Sequence, residues 1–84
     1  MMRIALTRQA TKDLDRLRRA HPELCDRLLS KIESLAEDPS AGKPLVGPFK
    51  GLWSLRVGDW RVMYEVGKSA VVVLTVNHRS DVNR

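Results

Sequence analysis

The decisive stretch runs from Gly51 to Arg79, GLWSLRVGDWRVMYEVGKSAVVVLTVNHR. Leu52–Val57 and Trp60–Val66 each alternate inward- and outward-suited residues, which predicts two half-buried strands. Between them stands Gly58-Asp59, a two-residue connection with glycine first, the pattern of a type II′ hairpin turn. A third strand begins at Ala70, after the short loop Gly67-Lys68-Ser69. That turn sets the pairing: Val57 opposes Trp60, Arg56 opposes Arg61, and Leu55 opposes Val62. If Val66 opposes Ala70 across the second turn, Arg61 opposes Thr75. Side chains alternate between faces along a strand. One face then carries Trp53, Leu55, Val57, Trp60, Val62, Tyr64, Val72, Leu74 and Val76, and is the core face. The other carries Ser54, Arg56, Arg61, Met63, Val73, Thr75, Asn77 and Arg79. It gathers three arginines at one end of the sheet. A bulge near the second turn would move the third strand by one residue and spoil its share of this assignment.

Working outward, Arg3–Thr7 reads as a short strand, with Thr7 placed as a helix N-cap. Ala10, Leu14, Leu17 and Ala20 then form one helical stripe. His21-Pro22 breaks that helix, and Pro22 suits the first turn of a second. The second stripe is Leu24, Leu28, Ile32 and Leu35, ending at Glu37-Asp38-Pro39. A connection of two or three residues predicts an antiparallel helical hairpin. Ser40–Lys50 reads as a long loop punctuated by Gly42, Pro44, Gly47 and Pro48. The expected fold is α+β, one domain over residues 1–84. It has an antiparallel sheet of about four strands, with the N-terminal strand and both helices packed on one face (order β-α-α-β-β-β). Pattern alone does not say where the first strand joins the sheet.

Composition narrows the function. The chain has 84 residues and a formal net charge of +5. Residues 1–42 hold eight Lys/Arg against seven Asp/Glu, and residues 43–84 hold seven against three. The excess sits on the loop-and-sheet half, as on a surface that meets a polyanion, although a solvated basic face reads the same way. The single Cys25 excludes an internal disulfide and is expected to be a small, partly buried, reduced thiol. No stretch has the length of a signal peptide's apolar region or of a membrane span, so a cytoplasmic protein without membrane contact is expected. His21, His78, Cys25 and the scattered carboxylates show no ligand spacing, so neither metal nor other cofactor is expected. The glycines are spaced as turns and not as a phosphate-binding loop.

Arg56, Arg61 and Arg79 are the leading candidate site residues. Like charges opposed across a sheet are destabilising, so folding alone does not favour the cluster. Bound phosphate would offset that cost, and arginine offers rigid, permanently charged, bidentate donors for it. Ion pairs with Asp59 or Asp81 are the plainer explanation. His78 is a candidate proton carrier, since histidine titrates near neutral pH. Strand parity, however, points it away from Arg79 and toward the rim of the core face. Trp53 and Trp60 would stack on bases only if they left the core face. Ser54 beside Arg56 is a hydrogen-bond donor.

Three segments carry a resemblance: Gly42-Lys43-Pro44-Leu45, Gly51–Val66 with its Arg-Val-Gly-Asp-Trp-Arg-Val run, and His78-Arg79-Ser80-Asp81-Val82. Together with the helical hairpin they resemble the RelE/ParE toxin superfamily of bacterial toxin–antitoxin systems, RelE-like branch, over nearly the whole chain. The resemblance implies a toxin that cleaves messenger RNA at the ribosome as a metal-independent endoribonuclease. It implies catalytic roles for Arg56, Arg61, His78 and Arg79, and RNA contacts for Lys43, Lys50 and Ser54. The implied partners are a cognate antitoxin, the ribosome and its messenger, and operator DNA only through the antitoxin. Two positions depart from the pattern. Ser54 stands where many ribonuclease members carry a basic residue, and Val82-Asn83 stands where many end in Val-Tyr. The alternatives are a ParE-like, non-enzymatic inhibitor of DNA gyrase, and a weakly active member acting mainly as co-repressor with its antitoxin.

Overall fold

The computed structural model describes residues 1–49 and 51–78. The elements are β1 (Arg3–Leu6), α1 (Arg8–Ala20), α2 (Pro22–Ser34), β2 (Lys43–Pro44), a 3-10 turn (Gly47–Phe49), β3 (Leu52–Val57), β4 (Trp60–Val66) and β5 (Ala70–His78). They form one five-stranded sheet in the order β1-β5-β4-β3-β2. The expected α+β architecture is present, with two refinements. β1 runs parallel to β5, so the sheet is mixed rather than antiparallel, and a fifth strand lies within the expected loop.

Thr7 caps α1 as expected, its hydroxyl accepting from Ala10 N at 3.1 Å. The same hydroxyl donates to Leu74 O at 2.8 Å and ties the helix start to β5. His21 alone joins the helices, a tighter connection than expected. Pro22 opens α2, where its missing N–H costs nothing. The helix ends at Ser34, before the acidic-proline stretch that the sequence pointed to. Both helices bury their stripes on one sheet face. Leu14, Leu17, Leu28, Ile32 and Leu35 pack there with Val57, Val62, Tyr64, Val71, Val73 and Val76. Cys25 is fully rather than partly buried, and its thiol, a free cysteine, donates to Leu14 O at 3.5 Å.

The β3–β4 pairing is the one the turn dictates, from Val57 opposite Trp60 through Arg56 opposite Arg61 to Leu52 opposite Glu65. Gly58 has φ +61°, and among the described residues no non-glycine has positive φ, so Asp59 takes the second position of a II′ and not a I′ turn. β5 departs from expectation. Gly67 N donates to Ala70 O at 2.8 Å, which shortens the second connection to Lys68-Ser69. Val66 therefore pairs with Val71, and Tyr64 with Val73. This one-residue shift sends Val71 and Val73 into the core and takes Val72 and Leu74 off the core face, reversing the assignment for that half of the strand. A bulge then restores the phase: Met63 pairs with Thr75, Val62 with Val76 and Arg61 with Asn77. Val76 is core, and Thr75 and Asn77 share the other face, as expected.

The bulge also marks where β1 stops. Its pairing ends at Leu6 opposite Val73, leaving the β5 edge beyond to find other partners. α1 supplies one: the buried carboxylate of Asp13 accepts from Val76 N at 3.0 Å and from Gln9 Nε2 at 2.8 Å. A helix side chain thus takes the place of a missing strand.

Candidate functional site

The β3–β4 hairpin delivers the two central arginines. Arg56 and Arg61 lie directly opposite each other, two residues in from the Gly58-Asp59 turn on the paired strands, with Cβ atoms about 5 Å apart by cross-strand geometry. They project on the face away from both helices, Arg56 exposed and Arg61 half-buried. Arg61 has Asn77 opposite it on its other side. Asn77 Nδ2 donates to Thr75 Oγ1 at 3.1 Å on the same face.

β2 adds a third cation. Lys43 pairs with Ser54 on β3, so both share the open face. Ala41, Gly42, Lys43, Leu45, Ser54, Leu55, Arg56 and Arg61 line a groove of about 440 Å³. Lys43, expected to lie outside the centre, therefore belongs to the same concave surface as the arginine pair and Ser54. The sequence had signalled this loop through its length, the basic excess of its half of the chain and its Gly42-Lys43-Pro44-Leu45 resemblance, but not through a strand pattern.

Tyr64 fixes that wall from beneath, a role the sequence reading missed. Its ring is buried and stacks on Trp53, with centroids 6.2 Å apart at 24°. Its hydroxyl donates to Pro39 O at 2.8 Å and accepts from Gly42 N at 3.0 Å. A Cβ at Gly42 would lie 2.6 Å from that hydroxyl and 2.7 Å from Ser54 O, so only glycine lets the loop approach this closely. Burial pushes the Tyr64 phenol above its ordinary value, Asp38 adds to this and the Gly42 N–H opposes it. The hydroxyl thus stays a neutral donor at physiological pH.

The structure separates His78 from the groove. It pairs with Trp60, and the two rings meet edge to face at 5.3 Å and 83° on the helix-covered side. It does not join Arg56 and Arg61 on the open face, and the parity reading of it as a core-rim histidine holds. Trp53 and Trp60 likewise pack against the core. Arg79 and Lys50 lie outside the described residues, as do Asp81 and Asn83. Among the described residues, no group of three or more His, Cys, Asp or Glu gathers in a metal-binding arrangement. No described helix is long and apolar enough to cross a membrane.

The family model for the ParE toxin of type II toxin–antitoxin systems, parDE, matches residues 4–83. The chain belongs to this toxin family, within the RelE/ParE superfamily. Among solved structures, the toxin resembles a chain of the RelBE2 toxin–antitoxin complex from Mycobacterium tuberculosis. Identity is 29%, coverage 93% of this chain and 98% of that one, and the TM-score 0.83. The YoeB/ParE toxin from Agrobacterium tumefaciens has the same fold, at 24% identity, coverage of 92% and 98%, and TM-score 0.80. So does a chain of the chromosomal ParDE system from P. aeruginosa, at 21% identity, coverage of 93% and 96%, and TM-score 0.71. Among curated proteins, none matches the sequence. Family membership and the RelBE2 complex together support a cognate antitoxin as the toxin's partner.

Proposed function

We propose that the toxin is a metal-independent endoribonuclease of the RelE-like kind, cutting messenger RNA on translating ribosomes in the cytoplasm until its antitoxin covers the groove. The observation that carries this reading is the opposed Arg56–Arg61 pair on an uncovered face, sharing one groove with Lys43 and Ser54. A messenger strand lies along the groove with its scissile phosphate between the guanidinium groups. The ribose 2′-oxygen attacks phosphorus as the bond to the 5′-oxygen breaks. Solvent water takes the proton of the 2′-hydroxyl and supplies one to the departing 5′-oxygen. Charge builds on the non-bridging oxygens, and Arg61, with Arg79 from the segment after β5, stabilises it. Arg56 aids in binding the strand. Such preorganised donors are each worth on the order of a hundredfold or more in rate. Lys43 and Lys50 hold neighbouring backbone phosphates, and Ser54 offers a hydroxyl to the strand. With His78 turned to Trp60, the groove contributes positioning and charge stabilisation rather than a histidine proton carrier.

The family model is that of a ParE toxin, and resemblance to the ParE branch implies one other reading, inhibition of DNA gyrase without catalysis. Expression without antitoxin, followed by mapping of messenger ends on translating ribosomes, separates the two. Ribonuclease action predicts new ends that Arg61→Ala removes. Unchanged messenger ends, with growth arrest and loss of gyrase supercoiling that survive Arg61→Ala, would establish the gyrase reading instead. Absence of growth arrest would point to a co-repressor.

A further inference from the structure

The row of polar side chains that crosses the open face continues past the two arginines. Arg56 pairs with Arg61, and Arg61 pairs in turn with Asn77 on β5, so these residues stand in line across three strands. At about 4.8 Å between strands, Asn77 lies about 10 Å from Arg56 and directly beside Arg61. Its amide is held on this face, where Nδ2 donates to Thr75 Oγ1 at 3.1 Å. A primary amide has two N–H donors and a carbonyl that accepts. One donor is used here, so the second donor and the carbonyl oxygen are left for another molecule. Strand formation does not favour the residue. Asparagine is depleted from strands, and β5 is otherwise β-branched or apolar up to this point, AVVVLTVNH. A valine or threonine would suit the sheet better.

We propose that Asn77 is a specificity-determining residue, which reads a base next to the phosphate held by Arg56 and Arg61 and selects adenine over guanine. This deepens the ribonuclease reading and rests on it for the identity of the ligand. A nucleotide whose phosphate sits between the arginines extends its sugar and base to one side of them. On the β2 side stand Lys43 and Ser54, which suit backbone oxygens. On the β5 side Asn77 offers an acceptor beside a donor, the paired contact that a base edge can match. Single-stranded RNA can splay its bases out for such contacts. At a purine's N7 edge, adenine presents a donor, its N6 amino group, beside the N7 acceptor. Guanine presents two acceptors there, O6 and N7, which suit arginine and not an amide. The Asn77 carbonyl accepts from N6 of adenine, and the second Nδ2 hydrogen goes to N7. With guanine the carbonyl meets O6, acceptor against acceptor. The bond to Thr75 holds the amide in place before RNA arrives, so less ordering is needed on binding.

The test uses the full-length toxin and fluorescently labelled trinucleotides whose first and central 2′-hydroxyls are replaced by hydrogen, so that neither linkage can be cut. Adenine and guanine are compared at the central and the third position, on either side of the scissile phosphate, with uracil elsewhere. Wild type is expected to bind adenine about tenfold more tightly than guanine at one of these positions. Asn77→Thr suits the strand and Asn77→Leu keeps the branched outline of the side chain, and each lacks the amide. In both, the ratio is expected to fall to about one, with affinity for the guanine strand little changed. Equal affinity of wild type for the two purines at both positions would overturn the proposal. So would a preference that survives both substitutions, or an equal loss for every strand, which would make Asn77 a backbone contact. Messenger cleavage reports separately. Cleavage that Arg61→Ala leaves unchanged removes the ribonuclease reading, whereas a flat base preference with Arg61-dependent cleavage removes the Asn77 assignment alone.

Discussion

The two faces of the central sheet obey different rules. On the covered face β1, β3, β4 and β5 contribute apolar residues that pack in the core with the helices, and the polar atoms that enter are bonded: Tyr64 to Pro39 and Gly42, Asp13 to Val76 and Gln9. On the open face two arginines stand opposite each other, an arrangement that weakens a sheet. Residues placed against the fold's own stability belong where another molecule supplies counter-charge. If the open face is the working surface, as proposed, stability and activity are segregated by side, and substitutions on one face should move one property and spare the other.

The largest separation is expected from Leu28, fully buried among the helix and strand side chains. Leu28→Ala should lower unfolding free energy by about 2–5 kcal/mol, read by chemical denaturation. Cleavage per folded molecule should stay near wild type. Arg61→Ala should do the reverse. Messenger cleavage should fall about a hundredfold or more, while the melting temperature holds or rises slightly as the opposed charge disappears. Gly42→Ala breaks the segregation, because the glycine touches both sides. Its Cβ would crowd Tyr64 Oη and Ser54 O, and about 1–3 kcal/mol of stability should be lost. RNA affinity should fall with it as Lys43 shifts.

Tyr64→Phe sharpens the comparison further. It removes the hydroxyl that holds Pro39 and Gly42, with an expected loss of about 1–2 kcal/mol. The alkaline behaviour checks the cause. Burial raises the phenol's pKa in the folded state, so the unfolded chain loses its proton first as pH climbs past 10.0. The stability that the hydroxyl contributes is thus complete below that pH and declines above it. Wild type and Tyr64→Phe should converge there in denaturation midpoints.

The same contrast explains what could be read in advance. The β3–β4 register was legible because Gly58-Asp59 admits one turn geometry and polar residues mark the open face at Ser54, Arg56 and Arg61. The β5 register was not. Val71-Val72-Val73-Leu74 is apolar throughout, so no alternation tells which residues face inward, and a one-residue shift costs no exposed charge. β2 was hidden for a related reason: two residues containing a proline carry no periodicity. Lys43 was therefore read as peripheral when pairing with Ser54 brings it into the groove. His78 was legible by parity only as a residue at the rim of the core face, where the structure sets it beside Trp60, and its resemblance-based assignment to the arginine cluster is not matched by the geometry.

The most direct measurement is backbone amide NMR of the toxin titrated with a trinucleotide RNA whose central 2′-hydroxyl is replaced by hydrogen, which binds without being cut. A phosphate held between the opposed arginines predicts the largest shift changes at Lys43, Ser54, Arg56 and Arg61, with Trp60 and His78 little affected. Changes concentrated instead around Trp60, His78 and His21 would place the strand on the helix-covered side and contradict the assignment of the open face as the working surface.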